Sequence, residues 1–303
     1  MSAAGAASRP SRAQPGGAVR QLVGASRPIS WINTAYPFAA AYLLTVGQID
    51  AVLVLGTLYF LVPYNLLMYG TNDVFDYESD LRNPRKGGVE GVVLDRRWHR
   101  FVLWAAALTN VPFLVFLVVA GSPLSTAVLG VSVFAVVAYS APRLRFKERP
   151  VVDSMTSSTH FVSPAVFALA LAGAEPSRAV VAAIVAFFLW GMASHAFGAV
   201  QDIVADRAGE IASVGTWLGA RATVRAAMIG YAASSLVMVL AGWPGMCAAV
   251  IPLLYLASIA PLRHLRDEEC ERARAGWRRF LWLNLVSGFL ITQLLIAVAR
   301  DWL

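Results

Sequence analysis

Charge is what this sequence has least of. Asp, Glu, Lys and Arg make up 14% of its 303 residues, roughly half the share of an ordinary soluble domain. A water-solvated globule is therefore excluded. Cysteine is nearly absent as well. Cys247 and Cys270 stand alone, far apart and without CxxC spacing, which excludes a disulfide scaffold and a thiolate metal site. No ten-residue stretches of alternating polarity occur, so an outer-membrane barrel is excluded. What is present is apolar: 58% of the residues. That is too much for a disordered chain and fits a polytopic membrane protein, in which about 20 apolar residues make one spanning helix.

The apolar residues come in runs of that length. Nine stretches contain no Asp, Glu, Lys or Arg: 29–46, 51–71, 101–120, 123–142, 154–174, 179–200, 226–243, 244–262 and 280–299. Length assigns them to helices where periodicity cannot. The expected fold is an all-α integral membrane protein of nine transmembrane helices. The shortest join is Trp243-Pro244-Gly245, a turn signal. Residues 1–26, rich in Ala, Ser, Gly and Pro, are expected to be a disordered cytoplasmic tail ahead of a membrane domain over 27–303. The first stretch is long for the core of a signal peptide and is followed by no clear cleavage site.

With nine spans, 23 of the 25 Lys and Arg fall on one side, and only Arg178 and Arg300 on the other. The positive-inside rule then places the N-terminus in the cytoplasm and the C-terminus outside the cell membrane. The formal charge of +7 belongs to one face, so it orients the chain and does not indicate nucleic-acid binding.

Two acidic clusters follow even-numbered spans. Asn72, Asp76 and Asp80 are spaced by four, and so are Asp202 and Asp206. Side chains four apart stack on one helix face, where like charges repel unless a cation lies between them. Oxygen ligands of this kind suit Mg²⁺, which commonly bridges carboxylates to a substrate's phosphates. Arg82, Arg85 and Lys86 follow the first cluster, and Arg143, Arg145 and Lys147 follow Tyr139. An acid, metal, phosphate and base sandwich accounts for both signs gathering on one face. Ion transport is the distant alternative. It is disfavoured because transporter sites lie near the bilayer midplane, whereas every span interior here lacks acids.

The motifs N72-D-x-x-D76-x-x-x-D80 and D202-x-x-x-D206 resemble the two aspartate-rich motifs of the UbiA superfamily of intramembrane prenyltransferases. Tyr139-Ser-Ala-Pro-Arg143 resembles a third family element, a Tyr followed four residues later by a basic residue. Arg stands where many members have Lys, which leaves Arg143 and Lys147 as alternatives for the diphosphate. Arg27-Pro28 is similar to the family's opening, and the resemblance covers roughly residues 27–299. The stretches YGTNDVFDYESDLRNPRKGGVEG, YSAPRLRFKERPVVDSMTSSTHFVSPA and SHAFGAVQDIVADRAG resemble the branch of lycopene elongases in C50-carotenoid synthesis.

The resemblance implies a bundle around a central cavity open at the cytoplasmic side. It implies Mg²⁺ on Asn72, Asp76, Asp80, Asp202 and Asp206, with Asp76, Asp202 and Tyr139 catalytic, and Arg27, Lys86, Arg143 and Lys147 on the diphosphate. The implied reaction moves a dimethylallyl unit from its diphosphate to the terminal double bond of lycopene, drawn from the bilayer. A carotenoid cyclase is the implied protein partner. The allylic cation needs a dry pocket and aromatic faces. Tyr64, Tyr69 and Phe197 are candidates for that lining. His160 and His195, polar residues in apolar spans, are candidates for proton acceptance. The nearer alternative keeps the diphosphate residues and changes the acceptor to a quinone precursor, a chlorin or a glycerol phosphate.

Overall fold

The computed structural model describes residues 17–82 and 94–303. All its regular structure is helical: α1 (Ala18–Ser26), α2 (Trp31–Val46), α3 (Ala51–Leu61), α4 (Pro63–Phe75), α5 (Tyr77–Arg82), α6 (His99–Ala120), α7 (Pro123–Ser140), α8 (Val152–Leu171), α9 (Arg178–Val200), α10 (Ile203–Ala208), α11 (Val214–Leu218), α12 (Ala220–Val239), α13 (Val250–Ile259) and α14 (Ala273–Ala299). Every apolar stretch of the sequence coincides with one of these or with a pair of them.

Among the described residues, seven helical stretches are long and apolar enough to cross a membrane. The two further apolar stretches of the sequence are also helices. Of these, α2 has 16 residues and falls short in length, while α8 has 20 and carries a polar N-terminal half from Asp153 to His160.

Local chemistry sets the boundaries. The Asp50 carboxylate caps α3 by accepting from Leu53 N–H at 2.8 Å. Ser122 and Ser125 form a capping box at the start of α7. Pro63 stands at the first position of α4 and separates it from α3. The carbonyls this leaves without helical donors must be satisfied inside the protein. Asn65 Nδ2 does this, donating to Phe60 O (2.8 Å) and Leu61 O (3.1 Å).

Two apolar cores divide the bundle. The first lies among α2, α3, α4, α6, α7 and α8, where Phe38 stacks on Phe167 and Phe60 tilts against both. The second lies among α9, α12, α13 and α14, where Trp190 and Trp277 stack on Phe280 and Tyr255 meets Trp190 edge-on. Helix α9 belongs to both halves, packing on α8 and on α12. A Cβ on Gly230 of α12 would lie 2.9 Å from Ala193 Cβ of α9, so that contact requires glycine.

One expectation is corrected here. The segment expected as a disordered tail is helical from Ala18 to Ser26. It buries Gln21 and Ala25 and packs Leu22 and Ala25 with Leu66 of α4, Val102 of α6 and Leu94 ahead of α6. Composition concealed this, because the few apolar residues of α1 gain a partner only after the bundle has formed. Residues 1–16 lie outside the described residues.

Candidate active site

The first acidic motif sits where α4 ends. Asn72 lies in its last turn and Asp76 is the residue that stops it, with φ −101°. Asn72 Nδ2 donates to Asp76 Oδ2 at 2.7 Å and to Ser140 Oγ of α7 at 2.9 Å. The spacing of four therefore produces a direct contact between the two side chains. Asp80 falls in α5, but its side chain lies outside the described residues, as do Arg85 and Lys86 altogether.

The connector between α7 and α8 brings positive charge to this motif. Lys147 Nζ forms an ion pair with Asp76 Oδ1, and Arg145 Nη2 lies 3.7 Å from the same oxygen. Of the two alternatives the sequence left open, Lys147 is the one at the acidic motif. Arg143 is exposed, and its carbonyl accepts from Arg149. Arg143 and Arg145 hold left-handed backbone conformations (φ 72° and 39°). Such non-glycine strain persists only where the surroundings enforce it; here it turns the connector so that residues 145 and 147 both reach Asp76. Arg145 is also paired with Glu148, which holds the Glu148 carboxyl below its ordinary range.

Arg27 reaches the same end of the bundle. Its guanidinium meets the buried Asp73 carboxylate at 2.9 Å and lies 4.3 Å from the centre of the Tyr69 ring. Asp73, adjacent to Asn72, was not singled out by spacing. Its signal was the Asn-Asp pair at the end of a span.

The second motif marks the end of α9. Asp202 precedes α10 and its carbonyl accepts from Asp206 N–H at 2.8 Å. Both side chains are half-buried. Among the described residues no three His, Cys, Asp or Glu side chains converge to hold a metal ion. The donor chemistry does fit Mg²⁺: Asn72, Asp76, Asp202 and Asp206 supply only hard oxygens. Beside Asp202, Gln201 Oε1 is buried and accepts no hydrogen bond among the described residues.

Between the two motifs runs a chain of hydrogen bonds. Asp153 Oδ2 accepts from Val214 N–H (2.7 Å), and Oδ1 accepts from Ser154 N–H (2.6 Å) and Ser154 Oγ (3.2 Å). Ser154 Oγ is 3.1 Å from His195 Nδ1, and His195 Nε2 is 3.0 Å from the Tyr139 hydroxyl. The Ser154 proton is committed to Asp153, so His195 Nδ1–H donates to Ser154 and Nε2 accepts from Tyr139. Asp153 and Ser154 escaped the sequence reading. Their signal was the run of hydroxyls in α8, unusual for a stretch at membrane depth.

Close helix packing makes this chain possible. A Cβ on Gly191 would lie 2.4 Å from Ser158 Oγ, so α8 and α9 touch there. One turn along each helix from that contact, Ser154 meets His195. His160 lies edge-on to Tyr139, ring centres 5.2 Å apart, and its buried Nε2 has no hydrogen-bond partner among the described residues.

Two candidates for the cavity lining sit within the apolar cores. Tyr64 is fully buried among Tyr59 and Phe60, its hydroxyl near Ser132 Oγ and His160 O. Phe197 is buried against Gly276 of α14. Both rings are enclosed by neighbouring helices, a packing role no spacing rule distinguishes from lining.

The model of the UbiA prenyltransferase family matches residues 34–285. The chain belongs to the UbiA prenyltransferase family. It is an intramembrane prenyltransferase and a multi-pass membrane protein. A C(50) beta-cyclic carotenoids biosynthesis protein of Dietzia sp. is 53% identical over 294 residues, covering 97% of this chain and 68% of the relative. A lycopene elongase/hydratase of Corynebacterium glutamicum is 50% identical over 280 residues, covering 92% and 98%. Among solved structures, a UbiA homologue from Archaeoglobus fulgidus bound to DMAPP and Mg²⁺ aligns with a TM-score of 0.63 at 19% identity, covering 88% of this chain and 98% of that one. The UbiA homologue from Aeropyrum pernix K1 aligns with a TM-score of 0.62 at 16% identity, covering 91% and 99%. The all-helical bundle is thus the UbiA fold.

Proposed function

We propose that this UbiA-family prenyltransferase moves a dimethylallyl unit from its diphosphate to the terminal double bond of lycopene, in C50-carotenoid synthesis. Identity of 50% along nearly the full length of a lycopene elongase/hydratase carries this reading. We propose nine membrane crossings, α2 and α8 included, with the N-terminus cytoplasmic, the C-terminus outside and the cavity open to the cytoplasm.

In this reading the diphosphate binds at the end of α4, where Lys147 and Arg145 exchange part of their contact with Asp76 for phosphate oxygens. Asn72, Asp76, Asp80, Asp202 and Asp206 would hold Mg²⁺, whose charge would stabilise the departing diphosphate. The allylic C–O bond breaks with its electron pair leaving on the diphosphate. The acceptor's double bond supplies the pair for the new C–C bond, and a tertiary cation is left on the acceptor. Tyr139 oxygen then takes a proton from the neighbouring carbon while its own proton passes to His195 Nε2, and the C–H pair becomes the new double bond. Ser154 and Asp153 hold His195 in the tautomer that can receive it.

The test uses membranes containing the full chain, lycopene, dimethylallyl diphosphate and Mg²⁺. Longer carotenoids are expected, and Asp76→Ala and Asp202→Ala should each abolish them. Wild-type turnover in either variant overturns the metal-site assignment. Indifference to lycopene, with prenylation of an aromatic acid, overturns the acceptor.

A further inference from the structure

A cavity of about 800 Å³ is lined by no residue of the candidate active site. It opens where α12 begins, at the same end of the bundle as the aspartate motifs. Four guanidinium groups border it: Arg207, Arg221, Arg225 and Arg266. Arg207 is tied to Asp267 at 2.6 Å and to Thr216 O. Arg225 meets the Arg263 carbonyl and His264 Nδ1 but no carboxylate among the described residues. Arg221 and Arg266 have no ion pair among the described residues and are exposed. Glu268 also borders the cavity, so the rim keeps an excess of two positive charges.

Arg221 and Arg225 are stacked one turn apart, an arrangement that repels itself and calls for an anion. The same face of α12 then turns apolar. Ile229, one turn below Arg225, is 70% exposed, and Leu236, two turns further, is 71% exposed. Trp217, 64% exposed, stands at the cavity wall, the level at which indoles settle in a bilayer interface. Cations above an apolar track, with an indole at the boundary, complement a phosphodiester head carrying acyl chains. Guanidinium forks match phosphate oxygens, and basic pockets between membrane helices recognise anionic headgroups.

We infer that this cavity is a binding site for an anionic phospholipid of the bilayer, its phosphate on Arg221, Arg225 and Arg266 and an acyl chain along Ile229 and Leu236. A free phosphate would have no use for the apolar track.

The full chain, reconstituted in phosphatidylcholine nanodiscs with added phosphatidylglycerol, tests this by native mass spectrometry and thermal unfolding. The wild type should retain phosphatidylglycerol and unfold at a higher temperature with it than in phosphatidylcholine alone. Arg221→Gln with Arg225→Gln should weaken retention by about tenfold or more. Arg278→Gln with Arg279→Gln, removing two exposed charges elsewhere on the same side, should leave it unchanged. Equal loss in that second pair reduces the effect to general surface charge and overturns the site. Equal stabilisation by inorganic phosphate in detergent overturns the lipid assignment. Where the first pair lowers unfolding in phosphatidylcholine alone, the wild type's preference between the two lipids decides, and its absence overturns the proposal.

Discussion

Helices α8 and α14 are both long, yet they meet different surroundings. Helix α8 buries eleven of its 20 residues, six of them polar: Asp153, Ser154, Thr156, Ser158, His160 and Ser163. Helix α14 buries four of its 27 and leaves Trp282, Leu285 and Phe289 more than 60% exposed. In a membrane an exposed side chain faces lipid, so α14 must be apolar outside. The surroundings of α8 are other helices, where Asp153, Ser154, Ser158 and Ser163 each meet a partner. A helix outside the seven clearest spans is thus the one that supplies the hydrogen-bond chain to Tyr139. In such a protein, weakness of the spanning signal points toward the site.

The sharpest test of this contrast is chemical. If the chain from α8 accepts the terminating proton, His195→Ala should lower conversion of lycopene by about 10²- to 10⁴-fold, the usual range for a lost acid or base. Ser154→Ala, which leaves His195 in place but frees its tautomer, should cost less. Turnover of both variants within twofold of wild type would separate the polarity of α8 from catalysis.

A packing pair comes next. Leucine at Gly191 must displace Ser158 or move α8 from α9, and such overpacking costs about 1–3 kcal/mol. At Gly288 of α14 an added Cβ would meet nothing within 4 Å among the described residues. Thermal unfolding in detergent should fall clearly for Gly191→Leu and stay near wild type for Gly288→Leu. Equal losses would mean that α14 is as tightly held as α8.

The smallest effect is a pH dependence at the connector leading into α8. Arg145 depresses the Glu148 pKa in the folded state. Its stabilisation is therefore complete above the unfolded value of about 4.3 and is lost as pH falls through the lower folded value. Unfolding temperature should drop below about pH 4 in the wild type, and Glu148→Gln should flatten that part of the profile. An unchanged profile in the variant would remove Arg145 and Glu148 from the forces that hold the connector.

The helices were legible because bilayer thickness imposes a length that no other environment demands, as at 101–120 and 179–200. The aspartate motifs were legible because stacked like charges need a counter-charge. That Tyr64 and Phe197 lie in the apolar cores was not legible, since an aromatic ring in an apolar run carries no mark of which neighbour encloses it. Arg143 and Lys147 were equivalent as sequence. The left-handed turns at Arg143 and Arg145 separated them, and those depend on how α7 and α8 are set side by side. The hydroxyl run of α8 was visible, but its meaning required knowing that His195 of α9 lies opposite.

By itself, then, the sequence determined the membrane environment, the helical content and the two acidic motifs, all of which follow from composition and spacing along one chain. The tertiary structure decided that Lys147 meets Asp76, that Arg27 meets Asp73, and that Asp153, Ser154, His195 and Tyr139 form one chain. These contacts join segments tens of residues apart. Their existence depends on helix packing, where the absence of a single Cβ at Gly191 sets the distance between two polar faces.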